Sequence, residues 1–236
     1  MQVGIILQAR MGSTRLPGKV LKKIEGKPML WHVIERLKKV KKSDELIVAT
    51  SDNTDDREIV ELARSWGVRY FVGSEKDVLD RFYQAAKEFQ LEQIVRATGD
   101  NPLVASEEAD RLINLHLTTT ADYSSNKSEV NSGLPAGIGV EILSFAALER
   151  SWIEGKREDY REHVYEYILQ NRGSFKVEVL KAPQSKHAPH LNLTVDTQED
   201  LDFMRDIYHR FYVPGRIVPV GRVVRYLIDS NQGSGR

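Results

Sequence analysis

The stretch Gln8-Ala9-Arg10-Met11-Gly12-Ser13-Thr14-Arg15-Leu16-Pro17-Gly18-Lys19 gathers the cations Arg10, Arg15 and Lys19. Arginine offers a planar fork of donors suited to bidentate phosphate contact, and lysine a compact point charge. Gly12 and Gly18 let backbone amides come close to a ligand. Together these residue types suit a triphosphate cradle. Neither common phosphate signature, G-x-x-x-x-G-K-[ST] or G-x-G-x-x-G, is present. The plain alternative is a solvated basic turn. The position directly after an apolar, strand-like run, the glycines and the clustering of cations favour the cradle.

Two carboxylates stand apart from this loop. Asp100 lies in Arg96-Ala97-Thr98-Gly99-Asp100-Asn101-Pro102-Leu103, and Asp196 in Leu193-Thr194-Val195-Asp196-Thr197-Gln198-Glu199-Asp200-Leu201. Each follows a run that reads as a strand. Carboxylates at neighbouring strand ends suit Mg2+, a hard cation held by one or two carboxylates together with phosphate oxygens and water. Such an ion neutralises charge as pyrophosphate leaves and lowers the pKa of a bound hydroxyl. Simpler roles are open to each: Asp196 as the cap of a helix from Thr197, Asp100 as a turn residue before Pro102. Asp200 suits the first turn of that helix, facing its dipole. Arg96 sits on an otherwise apolar strand. A charge there needs a partner, either the nucleotide or a carboxylate.

Positioning these groups calls for strands that end along one edge. Residues 2–8, 45–50, 68–72 and 93–97 read as strands: short, apolar and bounded by turn residues. Helices are predicted over 29–40, where Leu30, Val33, Ile34 and Leu37 share a face, and over 55–66, 78–89 and 107–117. Gly67 is a good helix stop. Strands alternating with helices specify an α/β fold with a mostly parallel central sheet covered on both faces. The pattern changes after residue 118. Residues 123–132 are polar, and Pro135, Gly137 and Gly139 precede an apolar run at 140–143. A helix is predicted over 158–171, strands over 175–180 and 191–195, and a helix over 198–211. Residues 1–229 form one expected domain, and 230–236 read as a disordered tail.

The chain has 236 residues, zero formal net charge and no cysteine. Zero net charge argues against a dedicated nucleic-acid binder. The lack of cysteine removes disulfides, thiolate catalysis and cysteine-ligated zinc. His187 and His190 flank Pro189 without a third ligand, so zinc is not expected there either. The apolar start is too short to span a bilayer and lacks a signal peptide's features. A cytosolic protein without membrane attachment is the expectation.

The first loop, as Ala9-Arg10-x-Gly12-Ser13-x-Arg15-x-Pro17-x-Lys19, resembles the signature of the cytidylyltransferases that activate acidic sugars, such as the sialic acid and Kdo enzymes. The closer resemblance is to the subgroup named for spore coat polysaccharide biosynthesis protein F. Gly99-Asp100-x-Pro102-Leu103 and Val195-Asp196-Thr197-x-Glu199-Asp200-Leu201 match further family segments. The likeness runs from about Val3 to Ile228 with the motifs in order.

The resemblance implies a Rossmann-like, three-layer nucleotide-diphospho-sugar transferase fold of the GT-A-like kind. It implies a Mg2+-dependent enzyme that transfers CMP from CTP to an acidic or modified sugar for a surface polysaccharide. The loop around Gln8, Ala9, Gly12 and Ser13 would read the base, and Arg10, Arg15 and Lys19 would meet the phosphates. Arg10, Arg15, Lys19 and Asp100 form the implied catalytic set, and Asp100 and Asp196 the implied metal ligands. Ser51, Arg81 and Arg96 lie near the nucleotide in the same reading. Asn126, Gly137, Glu141, Arg161 and His163 fall on the sugar side, within a segment at about 120–170 that also meets the partner of a homodimer. The plain roles are a surface helix cation for Arg81 and a helix face with a core histidine for Arg161 and His163.

This chain departs from the family where an aromatic-Pro-Arg-Gly segment is usual. Ala136 replaces the arginine and Gly139 an acidic residue, which leaves the sugar open. Competing readings are a UTP- or GTP-dependent nucleotidyltransferase, a glycosyltransferase and a non-catalytic nucleotide-sugar binder. Glycosyltransferases usually carry two close acidic residues after a strand, where this chain has Gly99-Asp100-Asn101.

Overall fold

The computed structural model describes residues 1–233, with side chains through residue 230. The chain runs β1 (Val3–Gln8), the hairpin β2 (Lys23–Ile24) and β3 (Lys27–Pro28), α1 (Met29–Leu37), β4 (Glu45–Ser51), α2 (Arg57–Ser65), β5 (Arg69–Gly73), α3 (Val78–Glu88) and β6 (Gln93–Thr98). It continues through α4 (Ser106–Thr119), β7 (Tyr123–Ser125), β8 (Glu141–Ser144), α5 (Phe145–Glu154), α6 (Glu158–Glu162), α7 (Glu166–Gln170), β9 (Val177–Val179), α8 (Gln198–Phe211) and α9 (Val220–Gly233).

Seven strands form the central sheet in the order β5-β4-β1-β6-β8-β7-β9. The first four are parallel, β8 runs antiparallel between β6 and β7, and β9 is parallel to β7. The β1 side chains show why the sheet is covered twice. Ile5 and Leu7 pack with α1, α2 and α4 on one face, while Ile6 packs with α3, α5 and α7 on the other. The result is a three-layer α/β architecture of Rossmann-like character.

A further apolar cluster joins α8 and α9 to Leu16, Leu103, Leu193 and Val195. It braces the segments that carry Lys19, Asp100 and Asp196. Thr197 and Asp200 close a capping box that starts α8. Tyr208, one face down the same helix, donates its hydroxyl to the Pro102 carbonyl at 2.6 Å.

Several expectations need correction. Residues 191–195 make no ladder strand. Asn192 alone bridges Ala136: the Leu193 amide donates to the Ala136 carbonyl at 2.9 Å, and the Val195 amide already turns to the Asp100 carbonyl at 3.0 Å. Leu193 and Val195 are buried in the α8–α9 cluster instead. The expected helix over 158–171 is broken between α6 and α7, where Val164 is turned into the core. The polar stretch 123–132 opens with β7, a buried strand. The tail expectation also shifts. Helix α9 extends through Gly233 on the buried side chains Val220, Val223, Val224 and Leu227, and residues 234–236 lie outside the described residues. Among the described residues no helix is long and apolar enough to cross a membrane.

Candidate active site

At the end of β1 the Ala9 amide donates to the Ala49 carbonyl (3.1 Å), and the Gly99 amide donates to the Gln8 carbonyl (2.8 Å). The first loop therefore leaves the sheet between the ends of β4 and β6. It folds on itself: the Ser13 and Gly18 amides both donate to the Met11 carbonyl, at 2.8 and 3.0 Å. Gly18 has φ +64°, a left-handed conformation that favours glycine. Among the described residues, the amides of Gly12, Thr14 and Arg15 find no protein acceptor. A Cβ on Gly12 would meet only Glu75 Oε1, at 3.8 Å. Its backbone faces open space, where an anion could accept those hydrogens.

The loop is anchored by a residue that sequence reasoning missed. Asp56 accepts the Met11 amide hydrogen at 2.6 Å, the Ser51 amide hydrogen at 3.1 Å and the Ser51 hydroxyl. Ser51 thus lies behind the loop as its anchor and is not on the cavity wall. In the sequence Asp56 looks like an ordinary acidic residue at a helix start. Only the fold brings it beneath Met11.

Lys19 joins the separated aspartates. Its ammonium donates to Asp100 Oδ2 and Asp196 Oδ1, both at 2.8 Å, and to the Val195 carbonyl at 3.0 Å. Burial pulls the Lys19 pKa down, but the Asp100 charge and the bonds to both carboxylates outweigh it and hold the pKa above its ordinary value. Burial likewise pushes Asp100 up, and the Lys19 charge and hydrogen bond bring it below the usual carboxylate range. Arg15 reaches Asp196 Oδ2 at 3.1 Å from an exposed position. Arg10 is exposed and has no ion pair among the described residues.

Arg96 and Glu141 are register partners on β6 and β8. The Arg96 guanidinium bonds Glu141 Oε1 and donates to Gln8 Oε1 at 3.3 Å, while the Tyr123 hydroxyl donates to Glu141 Oε2 at 2.7 Å. Burial would raise the Glu141 pKa; the charges of Lys127 and Arg96 and the Tyr123 hydrogen bond hold it low. Arg81 is fully buried. One nitrogen donates to the Ser74 carbonyl at 2.7 Å, and Nε and Nη2 have no acceptor. Burial, with the nearby charges of Arg10 and Arg96, pulls its pKa down to about 10, against a smaller opposing pull from Asp56. A buried donor left unpaired calls for an acceptor.

A cavity of about 310 Å³ collects the first loop, Lys19, both aspartates and Arg96, whereas the buried Arg81, expected near the nucleotide, is not on its wall. Its wall includes Gln8, Ala9, Arg10, Gly12, Ser13, Arg15, Lys19, Arg96, Asp100, His163 and Asp196, together with Thr98, Val78 and Glu162, which sequence reasoning did not single out. The other middle-segment residues stand off the wall. Asn126 is buried, with its side chain bonded to the Glu108 carbonyl and the Val140 amide at 3.0 and 2.8 Å. Gly137 packs on the Leu193 backbone. Glu141 lies one side chain behind Arg96. Arg161 grips Asp77, the cap of α3, at 2.6 Å.

Asp100 and Asp196 fit a Mg2+ ion by donor chemistry. Two hard carboxylates converge on the Lys19 ammonium at the end of a cavity lined by cations, and among the described residues no third metal-ligating side chain joins them. A two-carboxylate set leaves the remaining positions to water and phosphate, as Mg2+ prefers.

The cytidylyltransferase family model matches residues 4–217. An uncharacterized protein of Methanocaldococcus jannaschii is 43% identical over 206 residues, covering 87% of this chain and 83% of that protein. The spore coat polysaccharide biosynthesis protein SpsF of Bacillus subtilis is 36% identical over 210 residues, covering 87% and 85%. The structure of a cytidylyltransferase from Leptospira borgpetersenii superposes with a TM-score of 0.88 at 31% identity, covering 99% of this chain and 96% of that one. The chain belongs to the cytidylyltransferase family.

Proposed function

We propose that this cytidylyltransferase-family chain binds CTP over its first loop and transfers CMP to a sugar hydroxyl, releasing pyrophosphate. The observation that carries the reading is the cavity itself. Free loop amides and Arg10 face the Lys19–Asp100–Asp196 cluster across one space.

In the proposed step the sugar oxygen attacks the α-phosphorus in line. The bond from that phosphorus to the bridging oxygen breaks, pyrophosphate leaves, and the hydroxyl proton passes to solvent water. Asp100 and Asp196 would hold Mg2+, which when bound neutralises phosphate charge and acidifies a hydroxyl. Arg10, Arg15 and Lys19 offset the charge of the phosphates, and the Gly12, Thr14 and Arg15 amides add fixed donors. Catalysis is then mostly positioning and charge stabilisation. Arg81, buried off the cavity wall, would support the nucleotide side from behind.

Of the residues expected on the sugar side, His163 lines the cavity, beside Glu162, and in this reading the pair would face the sugar. This chain's departure from the family pattern has a steric cause. A Cβ on Gly139 would lie 2.7 Å from the Asn126 carbonyl oxygen, so an acidic side chain there would force the backbone to shift. The likeness to a spore coat polysaccharide protein supports a sugar destined for a surface polysaccharide. The same reading takes the chain to work as a homodimer through the segment at about 120–170, where Ile153 is an apolar side chain 52% exposed. Light scattering on the purified protein tests the dimer. Pyrophosphate release from CTP, UTP, GTP and ATP against a panel of sugar acids and amino sugars tests the activity. Release with CTP and one sugar class is expected, and release from none of them would refute it.

A further inference from the structure

The Lys19 ammonium has three acceptors: Asp100 Oδ2 and Asp196 Oδ1 at 2.8 Å each, and the Val195 carbonyl at 3.0 Å. Its side chain is only 11% exposed. Arg15 takes the second oxygen of Asp196 at 3.1 Å. The two carboxylates are therefore already neutralised by the chain's own cations. They are also the ligands proposed above for the divalent ion, and the inference rests on that reading.

A hard divalent ion needs its ligand oxygens at about 2.1 Å. An ammonium lodged between the same two groups takes one oxygen of each, Asp100 Oδ2 and Asp196 Oδ1, out of its reach. Like charges at such separations also repel strongly. We infer that Lys19 is a stand-in for the metal. It holds the carboxylate pair together and blocks the divalent ion until a triphosphate draws the ammonium away. Lys19 lines the same cavity as the first loop, so its ammonium borders the space in which the triphosphate would lie. The charge exchange is balanced: the lysine leaves two anions for the anionic triphosphate, and the cation takes its place. Nucleotide and metal then bind with positive coupling, and the coupling is reciprocal.

The test uses Mn2+ as an EPR-visible probe of the nucleotide-free protein. Wild type, Lys19→Met and Lys19→Gln are titrated, and the melting shift of the wild type with CTP and Mg2+ is measured alongside. The two variants guard against the misfolding of either one. Both variants should bind Mn2+ about tenfold or more tighter than wild type without nucleotide. If neither gains affinity while CTP still stabilises the wild type, the stand-in role is overturned and the proposed function survives. If the variants gain affinity but CTP gives no shift, Lys19 does block the metal and the CTP reading falls. If neither effect is seen, both fall.

Discussion

Asp56 Oδ1 lies 2.6 Å from the Met11 amide nitrogen and accepts its hydrogen. This single carboxylate ties the turn after β4 to the first loop, and its other oxygen is held by Ser51. Hydrogen bonds to a charged group contribute about 1.5–3 kcal/mol each. Asp56→Ala should loosen the loop and raise the KM for CTP by about tenfold, with a smaller effect on kcat. Asp55→Ala, an exposed neighbour, should leave both unchanged. Steady-state kinetics on the two variants separates these outcomes.

The Arg96–Glu141 pair sits inside the sheet, with the Glu141 side chain 1% exposed. Removing one partner of a buried pair strands the other charge, at a cost of about 3–5 kcal/mol. Glu141→Gln keeps the shape and removes the charge. It should lower the unfolding free energy by that amount in a urea titration. A change below about 1 kcal/mol would mean that solvent reaches Arg96.

His116 is 1% exposed and bonded to Ser124 Oγ at 2.9 Å and Gln93 Oε1 at 2.8 Å. Burial, only weakly opposed by Asp122, pulls its pKa down to about 4. The folded pKa lies below the unfolded value, so the unfolded chain takes up the proton first. The stability from the neutral ring is present above about pH 6.5 and is lost as pH falls toward about 4, in total about 3 kcal/mol. His116→Gln should flatten the melting temperature over that window, apart from the contribution of carboxylates.

Gly139 is a position where backbone meets backbone. A Cβ there would come within 2.7 Å of the Asn126 oxygen and 2.9 Å of its carbonyl carbon. Gly139→Asp, which restores the family's acidic residue, should destabilise by about 1–3 kcal/mol or more. Gly173→Ala has nothing within 4 Å of the new carbon and should be near neutral. Thermal melts of the two variants test the steric account of Gly139.

The first half of the fold was legible because its strands are apolar runs and its helices have clean one-face periodicity. Expected and observed boundaries there agree within a few residues. The second half was harder for physical reasons. In β7 the buried positions include Ser124 and Ser125, whose burial depends on partners such as His116 rather than on apolar character. Helix α9 did carry a readable signal, since Val220, Val223, Val224 and Leu227 follow helical spacing. Only its polar residues 230–233 fall within the expected tail, and the rest carried no helix expectation. At the site, the cationic loop and both aspartates stood out as residue types in a pattern. The supports behind them did not. Glu141 was expected on the sugar side and not as the partner of Arg96; that pair, like Asp56 and Met11, lies 45 positions apart in the chain, and no local spacing announces such a contact.

The most direct measurement is the melting temperature with CTP, UTP, GTP or ATP, each with Mg2+, for the wild type and for Lys19→Ala. A ligand at a hundred times its dissociation constant adds about 2.7 kcal/mol of stability. The account predicts a shift of the wild type with CTP alone, abolished in Lys19→Ala. No shift with any nucleotide, or a CTP shift that Lys19→Ala retains in full, would contradict it.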